Sequence, residues 1–336
     1  MVNHPTADTA DQLVQLINPV HTRNAASLHE QFRSASPFRH VVMESFLSEP
    51  LLRGVLEEFP TPHEKDMVSE FGDRSLKHTV ESIWELGPSF LQWHTLLQSS
   101  DFIHFLETIT GIPKLRFDPA YWGAGTHNNL QGQSLDAHVD FNYHPGTGFH
   151  RRLNLIVYLC PEWDQAWGGS IEFHRDAWDR SADREVVRYA PLANRAVLFE
   201  TGEHTWHGFP QINLPPDKQA LSRKSLTVYY YTEARENGDR PKAHSTIYVP
   251  DWIPDSIQQG EVVTPQTYAE LETHLYRRDH YLKRLYEEHH KLYQRYHELS
   301  RAHHKMRKVM GFLKPLVRLA DKLGLRGLLK RLLVRP

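Results

Sequence analysis

The chain has 336 residues, with 39 Lys and Arg against 41 Asp and Glu, 23 His and a single Cys. Its length fits one large domain or two small ones, and apolar and charged fractions of 40 % and 24 % exclude wholesale disorder. One cysteine excludes an internal disulfide framework and any cysteine-rich zinc or iron–sulfur site, and fits a reducing compartment.

In chain order, residues 1–35 form a polar N-terminal segment. Its start, MVNHPTADTADQLVQLINPV, has no basic head and no continuous apolar stretch, so no signal peptide is expected, only a short helix near Asp11–Ile17. Residues 36–60 read as a strand and then a helix, with Ser48 as the cap and Pro50 in the first turn. Further helices are expected near 88–98 and 101–110, the second closed by Gly111.

From about residue 115 the apolar period changes to two. Strands are expected at 115–122, 134–142, 152–160, 170–174, 185–189, 195–200 and 225–232, many of them separated by Gly, Pro, Asn and Asp. That spacing is the pattern of a β-sandwich or barrel, with the preceding helices packed outside it. Pro241 and Pro250 mark a connector. Beyond Thr267 the sequence predicts one long helix up to Met310, free of Gly and Pro. Of the eleven positions taken in alternating steps of three and four from Leu275 to Met310, eight are apolar and Arg278, His289 and His303 are not; this spacing argues for a coiled coil over one long helix folded back on the body, so a homo-oligomer through 271–310 is expected.

The net charge of −2 hides an asymmetry, because Arg301–Pro336 holds eleven Lys and Arg and one acid, Asp321. Residues 311–336 read as a basic amphipathic tail, broken from the coil at Pro315, and 308–336 would suit an anionic membrane surface, the alternative being a helix that docks its leucines on the acidic body. No apolar run is long enough to span a bilayer, and the expected location is the cytoplasm, either free or peripheral on the inner face of the membrane. Leucines rather than stacking aromatics interleave the basic residues, so no nucleic acid is expected as a partner.

The chemistry centres on LDAHVDF, 135–141. On a strand His138 and Asp140 project to the same side, an imidazole and a carboxylate for one divalent ion. A third ligand must come from elsewhere, and 199–212 offers both His204 and His207. Two histidines and one carboxylate on one face of an octahedron suit non-haem Fe(II) oxygenases, which need open positions. Further on, 221–232 reads as a strand with Arg223, Ser225, Thr227 and Tyr229 on one face, and a buried Arg flanked by hydroxyls can grip a dicarboxylate.

The order of these parts resembles the Fe(II)/2-oxoglutarate-dependent dioxygenases, in their prolyl-hydroxylase-like branch. The resemblance covers roughly 36–235. It rests on PFRHVVMESFL, on HVD at 138–140, on YL with Trp163 beyond it at 158–163, on Gly168-Gly169, on His207-Gly208 and on Arg223 with Ser225. Cys160 departs from it, standing where many relatives have Asn. The resemblance implies a mainly β core, a double-stranded β-helix or jelly roll of about 115–235 within an oxygenase domain of 36–250. N-terminal helices would flank it, with the coiled-coil helix 267–310 and the tail behind. It implies Fe(II) held by His138, Asp140 and His207, with His207 preferred to His204 because the ligand stands directly before Gly. It implies 2-oxoglutarate bound by Arg223 with help from Tyr158 and Ser225; Asn154 shares the face of Tyr158. With O2 the expected reaction is hydroxylation of an unactivated C–H bond, releasing succinate and CO2. The substrate would be a peptidyl proline or a sugar or glycan intermediate handled near a membrane. The rival reading is an inactive β-barrel scaffold on a coiled-coil oligomer.

Overall fold

Two antiparallel sheets carry the site, seen in a computed structural model that describes residues 16–62, 77–179, 181, 184–236, 238, 240–250, 257, 260 and 262–322. The larger sheet is built from β1 (His40–Met43), β2 (Lys77–Val80), β3 (Arg116–Phe117), β4 (Gly125–Asn129), β6 (His150–Tyr158), β9 (Ala196–Glu200) and β11 (Arg223–Thr232). Its order is β1-β9-β6-β11-β4-β2, with β3 also paired to β11. The smaller sheet runs β12-β5-β10-β7-β8, from β5 (Leu135–Val139), β7 (Ile171–His174), β8 (Val186–Tyr189), β10 (Trp206–Phe209) and β12 (Ile247–Val249). This is a double-stranded β-helix core.

The period-two alternation of β6 decides which face meets what. Leu153, Leu155 and Val157 point one way and join Leu226, Val228 and Tyr230 of β11 in the main core. That core is completed by Phe32 of α2 (Ala25–Ser34), Leu51 and Val55 of α3 (Glu49–Glu57), Trp93 of α4 (Pro88–Leu97) and Phe102 of α5 (Ser100–Thr110). A further short helix, α1 (Pro19–Arg23), precedes them. Each fully buried side chain of this size contributes about 1.5–3 kcal/mol by leaving water, which holds the helices on the outer face. The opposite face of the sheet presents Tyr158, Val197 and Phe199, which pack on Ile171 and Phe173 of the smaller sheet. The functional groups lie on this inner side.

The expected strands at 134–142, 152–160, 170–174, 185–189, 195–200 and 225–232 are β5, β6, β7, β8, β9 and β11 with trimmed ends. The expected strand 115–122 shrinks to β3. Beyond Phe117 the Asp118 carboxylate accepts from the backbone N–H of Ala120 and Trp122, and so turns the chain. Ser48 stands at the start of α3 with Pro50 in its first turn, but its side chain makes no capping bond. Gly111 closes α5 in a left-handed conformation, as expected.

The chain divides into two compact units, Met1–Asp251 and Trp252–Pro336. Within the second, α6 (Pro265–Lys322) is one 58-residue helix. It does not end at Pro315. A proline removes one N–H from the ladder but can be accommodated as a kink. Most of the expected helix near Asp11–Ile17 and the tail 323–336 lie outside the described residues. Among the described residues, no helix is long and apolar enough to cross a membrane.

Candidate metal centre

β5 and β10 are antiparallel neighbours, and their register sets His138 directly opposite His207. The two imidazole centroids are 4.3 Å apart. Asp140 follows at the end of β5, with a carboxylate oxygen 3.7 Å from His138 Nε2 and the other 3.5 Å from His207 Nε2. One ligand atom from each of the three falls within 4.8 Å of the other two. His204 is exposed in the preceding turn and stands outside this cluster.

Backbone carbonyls select the tautomers. His138 Nδ1 lies 2.9 Å from the Asp136 carbonyl, and His207 Nδ1 lies 2.9 Å from the Thr205 carbonyl. A carbonyl can only accept, so each Nδ1 carries the proton and each Nε2 lone pair faces the cluster, the arrangement metal-binding histidines use. Burial first, and then the neighbouring His138, push His207 down to about 3 against the pull of Asp140. Burial alone would raise Asp140, but Arg151, His207, His138 and the Asn154 hydrogen bond outweigh it and hold the carboxyl at about 2. A neutral imidazole and an ionised carboxylate at neutral pH are the forms that ligate a divalent cation.

Gly208 has a structural reason to follow His207. A Cβ there would lie 2.5 Å from the Leu135 carbonyl oxygen and 3.0 Å from Ala137 N. The register of β10 against β5 also shifts between His207 and Phe209. Glycine lets the two strands close where the ligands meet.

Arg223 opens β11. Its Nε donates to the Gly169 carbonyl at 2.6 Å, and its Nη2 donates to the Tyr158 hydroxyl at 3.1 Å. Its guanidinium lies over Phe209, two residues along β10 from His207, at 4.1 Å. Gly169, at φ +68°, permits this approach; a Cβ there would sit 2.9 Å from Trp163 and 3.4 Å from Arg223 Cδ. Ser225 pairs directly across from Tyr158. The structure therefore gathers Arg223, Tyr158 and Ser225 at one place, and Asn154 lies on the same strand face as Tyr158.

Two features were not legible as site residues. Arg151 Nη2 lies 3.1 Å from Asp140 Oδ2, while Asn154 donates to the same oxygen at 2.9 Å and accepts from Arg151. A register shift between Tyr230 and Tyr231 changes the alternation and sets Arg151 opposite Tyr231. Its guanidinium lies 3.5 Å from the Tyr229 ring centroid. His127 of β4 opposes Ser225, and burial, followed by the charges of Lys77, Arg223 and Arg151, holds it well below the usual histidine range. Its stretch, GTHNN, has no apolar alternation from which a strand could be read.

Two histidines and one carboxylate converging on one point are the ligand set that suits non-haem Fe(II) oxygenases. Residues 124–231 match the model of the 2OG-Fe(II) oxygenase superfamily, and that stretch carries the HxD…H cluster of His138, Asp140 and His207. Fe(II) and 2-oxoglutarate are the cofactors of that class. Prolyl 3-hydroxylase OGFOD1 of Mus musculus is 27 % identical over 113 residues, 31 % of this chain and 20 % of that protein, so the match spans about a fifth of the relative. Among solved structures, a prolyl hydroxylase from Trichoplax adhaerens in complex with a hypoxia inducible factor oxygen degradation domain peptide fragment is 13 % identical. It covers 64 % of this chain and 92 % of that one, at a TM-score of 0.45. A prolyl 4-hydroxylase from Phytophthora capsici is 16 % identical and covers 83 % and 78 %, at 0.44.

Proposed function

We propose that the chain hydroxylates a peptidyl proline, with His138, Asp140 and His207 as the iron ligands and Arg223 as the anchor for the far carboxylate of 2-oxoglutarate. The observation that carries the reading is the triad itself: three buried ligand atoms within 4.8 Å, both imidazoles turned so that Nε2 faces inward. When bound, Fe(II) with 2-oxoglutarate and O2 supplies the oxidising chemistry, and succinate and CO2 leave as co-products.

The protein's part is to place and to neutralise. Asp136 and Thr205 carbonyls orient the imidazoles, and Arg151 with Asn154 orients the Asp140 carboxylate. Arg223 offers a buried positive charge, with the Tyr158 hydroxyl beside it and Ser225 opposite Tyr158. A carboxylate there gains a charge-assisted hydrogen bond from a buried side chain. A scaffold that kept only the barrel would have no use for three convergent ligands and this arginine. The peptidyl substrate is supported by the likeness to a protein named a prolyl 3-hydroxylase.

The proposal extends to organisation. The oxygenase domain comprises 36–250, 271–310 joins copies of the chain, and 308–336 meets an anionic membrane surface, through basic residues that contribute about 1 kcal/mol each near such a surface.

The test is succinate release from 2-oxoglutarate in the presence of Fe(II), with pools of proline-containing peptides compared against sugar-nucleotide and lipid-linked glycan pools. Stimulation by proline peptides is expected. Stimulation by a glycan pool alone would replace the proline substrate and leave the hydroxylase. Absence of 2-oxoglutarate turnover with every pool would contradict the enzymatic reading itself.

A further inference from the structure

Helix α6 bears an apolar stripe at alternating steps of three and four. Leu282, Leu285, Leu292, Tyr296 and Leu299 on this stripe are each 51–71 % exposed. A stripe this long on one helix calls for a partner surface. We infer that its occupant is the same stripe of a second copy, running antiparallel, in the register that sets Leu282 against the partner's Leu299 and His289 against the partner's Leu292. The inference rests on the proposed self-association through 271–310 and adds its orientation, register and number of chains.

A parallel pairing would set every seam residue against its own copy. Arg278 would meet the partner's Arg278, His289 the partner's His289 and His303 the partner's His303. Three layers of the seam would then be polar or like-charged. The antiparallel pairing sets His289 against Leu292, Leu285 against Tyr296 and Leu275 against Met306. It leaves Arg278 facing the partner's His303 near each end. The overlap, 275–306, is about 47 Å long at 1.5 Å per residue.

The residues flanking the seam choose the same arrangement. Glu288 and Arg295 lie one turn-pair apart on one flank. In this register Glu288 meets the partner's Arg295, and two-fold symmetry makes the pair twice. Sliding the helices by one heptad in either direction brings Glu288 to the partner's Glu288 or Arg295 to the partner's Arg295. On the other flank Tyr286 meets the partner's Tyr293, and both rings are exposed. In a parallel pair Glu288 would meet Tyr293 and Arg295 would meet Ser300, so this charge match would be lost. Glu288 also accepts from Arg284 of its own helix through Oε1 at 2.9 Å, and a carboxylate can accept from several donors at once.

Cysteine crosslinking on the full chain reads the orientation. Cys160 is buried and does not compete. Leu282→Cys and Leu299→Cys chains, mixed and oxidised gently, should give the mixed disulfide dimer. Neither variant alone should crosslink, because each cysteine would lie roughly 26 Å along the helix from its own counterpart. Sedimentation should show a dimer whose dissociation constant rises tenfold or more for Glu288→Arg and returns towards the wild-type value in the Glu288→Arg, Arg295→Glu double variant. Crosslinking of each variant with itself would overturn the antiparallel arrangement while leaving self-association standing. A trimer would overturn it too, and a monomer at all concentrations would overturn both.

Discussion

The Arg151 guanidinium lies 3.1 Å from the Asp140 carboxylate and thereby joins β6 of one sheet to the end of β5 in the other. The same carboxylate is the anionic member of the triad, so Arg151 fixes the direction in which Asp140 faces His138 and His207. Arg151→Met should weaken Mn(II) binding by about 10–100-fold, the range for loss of an outer partner of a ligand. A metal titration that matched wild type would show that Asn154 suffices to hold the carboxylate.

The two candidate third ligands separate cleanly. His207→Ala should abolish metal binding, because a three-ligand face has no substitute for a lost member. His204→Ala should leave it intact, since that side chain is exposed outside the cluster. The reverse pattern in equilibrium dialysis would exchange their roles.

Arg223→Met removes the buried charge beside Tyr158. The apparent affinity for 2-oxoglutarate should fall tenfold or more, in line with about 1.5–3 kcal/mol for a hydrogen bond to a charged group. Mn(II) binding should survive. An unchanged 2-oxoglutarate titration would mean that another group holds the carboxylate.

Gly208→Ala tests the closeness of β10 to β5. The added methyl would sit 2.5 Å from a backbone carbonyl that cannot step aside without moving β5. Overpacking of this kind costs about 1–3 kcal/mol, and here it also displaces His207. Thermal melts should fall and metal affinity should fall with them; a variant with wild-type values for both would remove this account of the His-Gly pair.

Acid should destabilise the metal-free protein through His207. Its native value is about 3 against 6.5 for an ordinary histidine. Between those limits the unfolded chain carries a proton that the native state lacks. Stability therefore drops as pH falls from 6.5 towards 3, by up to about 1.4 kcal/mol per unit. Asp140, held at about 2 against 3.8, contributes stability that is present above 3.8 and lost as pH falls through 2. Urea midpoints of the metal-free His207→Leu variant should vary less between pH 6.5 and 4 than those of wild type. Equal slopes would contradict the burial of a neutral His207.

Much of the site was legible because its signals are local. His138 and Asp140 are two residues apart on a strand, and their alternation is visible without a fold. Arg223 was legible from the hydroxyls on its strand face, but the choice of His207 over His204 and the naming of Tyr158 came only through the resemblance, since cross-strand register brings them together and no spacing in one dimension encodes it. Arg151 escaped because a bulge, not the regular alternation, turns it to Asp140. β4 and β2 escaped because their sequences, GTHNN and KHTV, lack the apolar alternation of a half-buried strand; His127 faces inward as a polar group. β12, only three residues long, is too short for a periodic signal. The helix α6 was legible from its long run without Gly or Pro and from the spacing of its apolar residues, whereas its passage through Pro315 ran against proline's usual effect.

The central claim is a working triad at His138, Asp140 and His207, and it is tested most directly by succinate formation from 2-oxoglutarate under Fe(II) and air. Wild type and His204→Ala should release succinate, while His138→Ala, Asp140→Ala and His207→Ala should release none. Sustained release by the Asp140→Ala variant, or none from wild type, would contradict the account.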